Sequence, residues 1–320
     1  MTNVLPFSDH PLPSRHPEQQ YLDLVRQVWT QGDPRSDRTG VGTRSIFGAT
    51  VRYSLADDAV PLLTTKRVSW KTAAREMLWF LTGSSSIRPL VAQGVHIWTD
   101  WPLDKYRKAT GETISRDDFE ARIIADDAFA AQWGELGPVY GVQWTNWPKY
   151  HPVGDGLFRQ DAQGVNQIAN LVHGLKTNPA SRRHIFTGWN VPDLDAMALP
   201  PCHMTYQFYV ADGKLSCILY QRSCDLGLGY PFNVFSAALL TRMIAQQCDL
   251  VAHELIWNCG DVHLYVNHAH LVDELLSRTP SGTPRLRLLR KPESIFDYAI
   301  ADFAVEDYAP QAHISAPVAV

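Results

Sequence analysis

Three observations predict a mixed α/β (α+β) fold. Phe47, Ala49, Val51, Tyr53 and Leu55 alternate with more polar neighbours, the period of a strand with one buried face. MTYQFYV and LSCILYQ are rich in β-branched and aromatic residues and flank Asp212-Gly213, a strong two-residue hairpin signal. Elsewhere apolar residues recur at helical spacing, as in Tyr21, Leu24, Val25 and Val28, or Ala73, Ala74, Met77, Leu78, Phe80 and Leu81. Strands and helices therefore share the chain, but their topology is not readable from this pattern.

Composition narrows the function classes. The chain has 320 residues, enough for one large domain or two ordinary ones, and 45% hydrophobic with 19% charged residues is the balance of a soluble globular protein. A net charge of −4 offers no electrostatic footprint for nucleic acid or an anionic membrane, so any anion must be held by a local arginine cluster. Five scattered cysteines lack CxxC spacing, which argues for reduced thiols in a cytoplasmic setting rather than zinc or disulfides. Neither a transmembrane run nor a signal-peptide pattern is visible.

In chain order, residues 1–16 are proline-bearing and aperiodic and read as an N-terminal extension, disordered or lying on the surface. A helix follows from Pro17 and stops at Gly32 and Pro34. Ser36 to Gly42 is a polar loop whose glycines allow close backbone approach to a phosphate and whose Arg38 can pair with it; a solvated turn is the bland alternative. Leu62 to Lys66 leads into a helix from about Trp70. Within its apolar face Glu76 is an anomaly, and burial there would favour the protonated carboxyl. Trp98 and Trp101 are spaced to share a helical face and read first as core. Residues 102–134 are polar and helix-prone, 148–165 are loop-like, and Ile168, Leu171 and Leu175 mark another amphipathic helix. Arg182 and Arg183 sit in a polar turn and, by themselves, read as a solvated pair.

The centre of the chain is Ala198 to Asn233. A tight turn at Asp212-Gly213 puts Ala211 opposite Lys214, which places Cys202 opposite Ser223 and His203 opposite Arg222. Pro200-Pro201 forces extended backbone before the cysteine. A guanidinium nearby favours the nucleophilic thiolate and also binds phosphate bidentately, whereas an isolated cysteine would more often be buried structure. Asp225 to Phe232 forms a glycine-bearing loop, and Asn233 then opens a helix to about Gln247, either as its cap or as a reader of a pyrimidine edge. His263 and Tyr265 lie two apart on one strand face, as ligands or as hydrogen-bonded structure.

PPCHMTYQFYV, LYQRSCD and GYPFN resemble the active-site region of the thymidylate synthases, and SDRTGVGT, PLLTTKR, REMLWFLTG, GPVYGVQW, NPASRRHIFTGWN, GDVHLYVNH, RKPESIFDY and APVAV continue the resemblance in order. It runs from about residue 17 to the end and implies a single catalytic domain over 17–320. Residues 102–134 would be a variable helical insert, and a large mixed sheet would pack against its twin in a homodimer. The implied activity is reductive methylation of dUMP to dTMP, with 5,10-methylenetetrahydrofolate as co-substrate and no metal. Under the resemblance Cys202 is the nucleophile, Glu76 the carboxylate that organises water, and Tyr140 a candidate base. Asn233 reads uracil, and Asp225 contacts the pterin. Arg38, Arg222 and, in trans, Arg182 and Arg183 would hold the phosphate. Gln221, Ser223, Cys224, His203, His263 and Tyr265 would complete the nucleotide site, with the last two at the deoxyribose. Lys66, Trp98, Trp101, Leu228, Gly229, Phe232 and Ala319 would line the folate site, and the apolar tail would close over it.

Four departures stand out. Thr99 replaces a usual acidic residue, Ser69 stands where some members carry histidine, Tyr230 is larger than usual, and Asn258-Cys259 replaces a small pair. They keep a dUMP hydroxymethylase of the same superfamily open as an alternative. A cysteine hydrolase leaves the arginines unexplained, and a non-catalytic nucleotide binder leaves the full catalytic set unexplained.

Overall fold

The computed structural model describes residues 15–36 and 40–318. The extension up to residue 14 and the candidates Arg38 and Ala319 lie outside the described residues.

The helices are α1 (Gln19–Gln31), α2 (Trp70–Thr82), α3 (Arg88–Val91), α4 (Asp100–Thr110), α5 (Arg116–Ala125), α6 (Asp127–Trp133), α7 (Tyr140–Thr145), α8 (Gln167–Thr177), α9 (Gly229–Gln247) and α10 (Ala269–Ser277). The strands are β1 (Asp33–Arg35), β2 (Thr43–Ser54), β3 (Tyr150–Gly154), β4 (Leu157–Gln160), β5 (Ile185–Thr187), β6 (His203–Ala211), β7 (Lys214–Asp225), β8 (Val251–Tyr265), β9 (Arg285–Leu288) and β10 (Phe303–Glu306). Six of them form one sheet in the order β1-β2-β8-β7-β6-β5, parallel between β7 and β8 and antiparallel elsewhere. The segment read as a loop at 148–165 instead contains the hairpin β3–β4. Each strand is too short and too exposed to leave a periodic signal.

One face of the sheet is covered by α9, which also packs on α2. Val234, Phe235, Ala237, Ala238, Leu239, Leu240, Met243 and Ile244 are all buried, so α9 is apolar around its circumference, as a central helix must be. The opposite face carries Ile218, Tyr220, Tyr209 and Ile185 in the open. Phe47, expected on the buried side of β2, is 87% exposed, while Val51, Tyr53 and Leu55 are buried as expected. Gly48 follows it at φ 90°, a left-handed conformation that interrupts the side-to-side alternation. The Phe47 ring and the Tyr220 hydroxyl converge over Gly260, where a Cβ would meet them at 3.5 and 3.3 Å.

Glu18 anchors α1 to the loop before α2. Its buried carboxylate accepts from the Thr64 amide (2.8 Å) and hydroxyl (2.7 Å), and from the Thr65 amide (3.0 Å) and hydroxyl. The C-terminal segment docks on the same loop, through the Gln311 amide to the Thr64 carbonyl at 2.8 Å and the Val68 amide to Tyr308 Oη at 2.9 Å.

Candidate active site

The β6–β7 hairpin follows the expected register from Ala211↔Lys214 to Thr205↔Tyr220 and then slips, so that His203 pairs with Gln221. Met204 is the extra residue of a bulge. The expected facing pairs are therefore corrected by one position. Arg222, not Ser223, lies opposite Cys202 and donates its amide to the Cys202 carbonyl at 2.9 Å. Its guanidinium is held by the Pro201 carbonyl (Nε, 3.0 Å) and the Pro200 carbonyl (Nη2, 2.8 Å), and Nη2 stands 3.8 Å from the thiol. The two prolines thus aim the arginine as well as the cysteine.

Cys202 is half-buried, and its amide donates to Tyr140 Oη at 2.8 Å. The expected lowering of the thiol pKa does not prevail. Burial pushes it up, and Arg222 and Tyr140 only partly counter that.

Gln221 and Asn233 form a chain of amides. α9 begins at Gly229, so Asn233 lies inside the helix and is not its cap. Trp257 Nε1, which can only donate, bonds Gln221 Oε1 at 2.9 Å; Gln221 Nε2 then donates to Asn233 Oδ1 (2.8 Å) and to the Ser223 carbonyl (3.0 Å). The indole fixes the orientation of both amides. His203 is buried with no hydrogen-bond partner on either ring nitrogen, and burial drives its pKa down to about 4 against a weaker opposing influence of Asn233. Gln221 and Cys224 are fully buried. Any contact from Cys224 to a ligand would fall to its backbone.

Glu76 is buried in α2, as its apolar neighbours suggested. Desolvation raises its pKa from the ordinary 4.5 to about 7, opposed by the Trp98 indole, which donates to Oε1 at 2.7 Å. Tyr140 stacks on Phe80 at 4.7 Å between ring centroids, and the Trp98 and Trp101 rings are 5.3 Å apart. Thr99, the departure beside Trp98, is fully buried, and its hydroxyl donates to Glu120 of α5. His96 Nδ1 bonds the other Glu120 oxygen at 2.7 Å. Sequence reasoning missed Glu120. Its one signal was a carboxylate between apolar Phe119 and Ile123 in a stretch read only as polar insert.

Asp225 closes its loop by accepting from the Gly227 amide (2.8 Å) and the Leu228 amide (3.2 Å). Lys66 Nζ donates to the Gly227 carbonyl at 2.6 Å, and burial lowers its pKa to about 8 despite nearby Asp225. A Cβ at Gly227 would meet His268 Nδ1 at 2.7 Å, so only glycine fits there. His268, also missed, has Nδ1 3.8 Å from Asp225 Oδ1, while its Nε2–H donates to the Pro317 carbonyl at 2.9 Å. The His268 ring thus lies between the Asp225 loop and the tail, and its hydrogen bond is to the tail. Leu228, Gly229 and Phe232 flank this loop and are half-buried.

His263 and Tyr265 do share a face, with ring centroids 5.3 Å apart. Asp261 orients His263 through Nδ1 at 2.9 Å and also accepts from Arg35 (2.6 Å) and Ser45 (3.0 Å); the His263 bond is the main reason its carboxyl pKa is lowered. Arg182 and Arg183 are exposed just before β5, two strand places from Arg222, with no carboxylate partner among the described residues. Those residues also hold no cluster of three or more His, Cys, Asp or Glu suited to a metal, and no helix long and apolar enough to cross a membrane.

A half-buried thiol beside a fixed guanidinium, a buried carboxyl with a pKa near neutrality and a locked pair of amides make a site for covalent attack on a polar, anionic, planar substrate. The sequence model described as Thymidylate synthase matches residues 19–320. A thymidylate synthase of Sphingopyxis alaskensis is 72% identical over 308 residues, covering 96% of this chain and 99% of that one. Thymidylate synthases of Novosphingobium aromaticivorans (65% over 306 residues, 96% and 98% covered) and Rhodopseudomonas palustris strain BisA53 (57% over 307 residues, 96% and 100% covered) are similar along the same length.

Proposed function

The chain belongs to the thymidylate synthase family, and from that premise we propose how its residues divide the methylation of dUMP. The chain is a methyltransferase, and its family uses 5,10-methylenetetrahydrofolate as co-substrate. Full-length identity to named synthases sets aside the hydroxymethylase alternative.

The observation that carries the residue assignment is Cys202 held opposite Arg222. Cys202 loses its proton and its sulfur bonds to C6 of the pyrimidine, which moves electron density to C5 and O4. Arg222 takes the phosphate with Arg38, and Arg182 and Arg183 join from the partner subunit. Asn233 has its Oδ1 end fixed by Gln221, and its Nδ2 is the donor for developing charge at O4. The C5 proton leaves to water held by Glu76 or to Tyr140, which already contacts the Cys202 amide. His263, fixed by Asp261, and Tyr265 take the sugar hydroxyl.

The folate, when bound, supplies the one-carbon unit and the hydride. Lys66, Trp98, Trp101, Asp225, Leu228, Gly229, Phe232 and Ala319 would hold it. What supports this set is an aromatic wall at Trp98 and Trp101 beside a carboxylate loop that the C-terminal segment already touches through His268.

We read residues 17–320 as one catalytic domain and residues 1–16 as an extension to it. The protein would act in the cytoplasm as a homodimer, and the exposed sheet face of Phe47, Tyr209, Ile218 and Tyr220 supports the dimer. The test is product analysis with dUMP and 5,10-methylenetetrahydrofolate. Equal amounts of dTMP and dihydrofolate, lost in Cys202→Ala, are expected; turnover surviving that substitution would overturn the assignment.

A further inference from the structure

We propose that Glu120, carried on α5, is a positioning residue of the active site: by holding the His96–Thr99 segment it sets where Trp98 presents its indole N–H to Glu76. This rests on the reading of Glu76 as a catalytic carboxylate.

The link is short, and its Thr99 half is buried. Glu120 is 5% exposed and Thr99 is fully enclosed, so the bond between them is shielded from water, while the His96 ring on the other oxygen is half exposed. One Glu120 oxygen accepts from the Thr99 hydroxyl and the other bonds His96 Nδ1, so the peptide on each side of Ile97-Trp98 is tied to one carboxylate. Glu120 is itself rigidly placed. Phe119 packs on Tyr106 of α4 (5.6 Å) and Phe129 of α6 (5.5 Å), and Tyr106 packs on Trp133 (5.1 Å), which gives the α4–α6 segment its own aromatic core.

The Trp98 ring touches Trp79, Phe80, Trp101 and Tyr140, with centroids 6.0, 6.4, 5.3 and 5.9 Å away. Such contacts tolerate sliding in the ring plane. The 2.7 Å bond to Glu76 does not, because a hydrogen bond weakens over a few tenths of an ångström. A segment released from Glu120 loosens that bond first.

The consequence is readable as a pH profile. The indole donates to the ionised carboxylate and opposes the effect of burial, so weakening it moves the Glu76 titration upward. The titratable groups facing Glu76 are Tyr140 from α7 and Tyr206 from β6, with Cys202 and Arg222 beyond Tyr140. Burial holds both tyrosines well above their ordinary range, so neither titrates near neutrality.

The experiment is the pH dependence of kcat/KM for the folate, between pH 5 and 9, in the full-length enzyme. Glu120→Ala is expected to move the limb near pH 7 upward by about half a unit or more, a threefold change in proton affinity. Glu120→Gln keeps an acceptor for Thr99 and should hold the limb near its wild-type position. Lys108→Ala removes an exposed ion pair with Asp104 on α4 and should leave the profile unchanged. A folded Glu120→Ala enzyme with the wild-type limb, or an equal shift in Lys108→Ala, overturns the proposal. If Glu120→Ala does not fold, Thr99→Val cuts the buried half of the link at nearly constant volume, and an unmoved limb there overturns it equally. Glu76→Gln separates the underlying reading. A limb that persists in that variant sinks the Glu76 assignment and this proposal with it; a limb lost there but unmoved by the Glu120 and Thr99 variants sinks only the proposal.

Discussion

Arg222 faces Cys202 across the bulged hairpin, with its guanidinium bonded to the two proline carbonyls that precede the cysteine and 3.8 Å from the thiol. Burial nonetheless leaves the thiol pKa raised in the free protein. Arg222→Ala should therefore raise it further and slow alkylation of Cys202 by iodoacetamide at pH 8. Arg222→Lys should restore little, because a single ammonium cannot span both carbonyls. Alkylation as fast as wild type in Arg222→Ala would show that the arginine does not act on the thiol.

Glu76 makes stability depend on pH in a direction set by its raised pKa. The folded state favours the protonated carboxyl. Its contribution is full below pH 4.5 and is lost as pH rises toward 7, because over that range the unfolded chain releases the proton while the native state keeps it. Glu76→Gln escapes this cost, so its stability relative to wild type should grow by on the order of 3 kcal/mol between pH 4.5 and 7. Urea denaturation at several pH values checks it; a constant difference would mean that Glu76 titrates normally.

Tyr230 has a packing explanation. Its hydroxyl bonds Tyr53 Oη at 2.6 Å, its ring stacks on Tyr21 at 5.0 Å and it meets Trp257 edge-on at 4.8 Å. Tyr230→Phe would leave the Tyr53 hydroxyl buried without its partner and should cost about 1–3 kcal/mol of stability. The product should remain dTMP. Formation of hydroxymethyl-dUMP would instead place Tyr230 in control of water access.

His268 couples the Asp225 loop to the C-terminal segment through its bond to the Pro317 carbonyl. Loss of one such bond in His268→Ala is worth about 1 kcal/mol, or roughly a fivefold rise in KM for the folate. The affinity for dUMP alone should not change. Equal losses for both ligands would point to general unfolding of the site.

Arg182 and Arg183 supply a test of the dimer. An inactive Cys202→Ala protein refolded with an inactive Arg182→Ala, Arg183→Ala protein should regain roughly a quarter of wild-type activity, since half the dimers carry one intact site. No recovery would mean that the arginines act within their own subunit or not at all.

Local chemistry determined much of this protein in advance. The hairpin turn at Asp212-Gly213, the helical faces around Tyr21 and Met77, and Glu76 as a carboxylate out of place among apolar residues were all legible, because each depends on neighbours a few residues away. Only the tertiary structure decided the rest. The Met204 bulge changed which residue faces Cys202, since one unpaired residue in a strand leaves no compositional mark. Asn233, read as either a cap or a base reader, lies in the helix body because α9 begins at Gly229. The partners of Thr99, Asp225 and His263 are Glu120, His268 and Asp261; the first two pairs are far apart in sequence and meet only when helices and loops are folded together. Buried polar atoms must find partners wherever the fold brings them, and that requirement has no sequence period to reveal it.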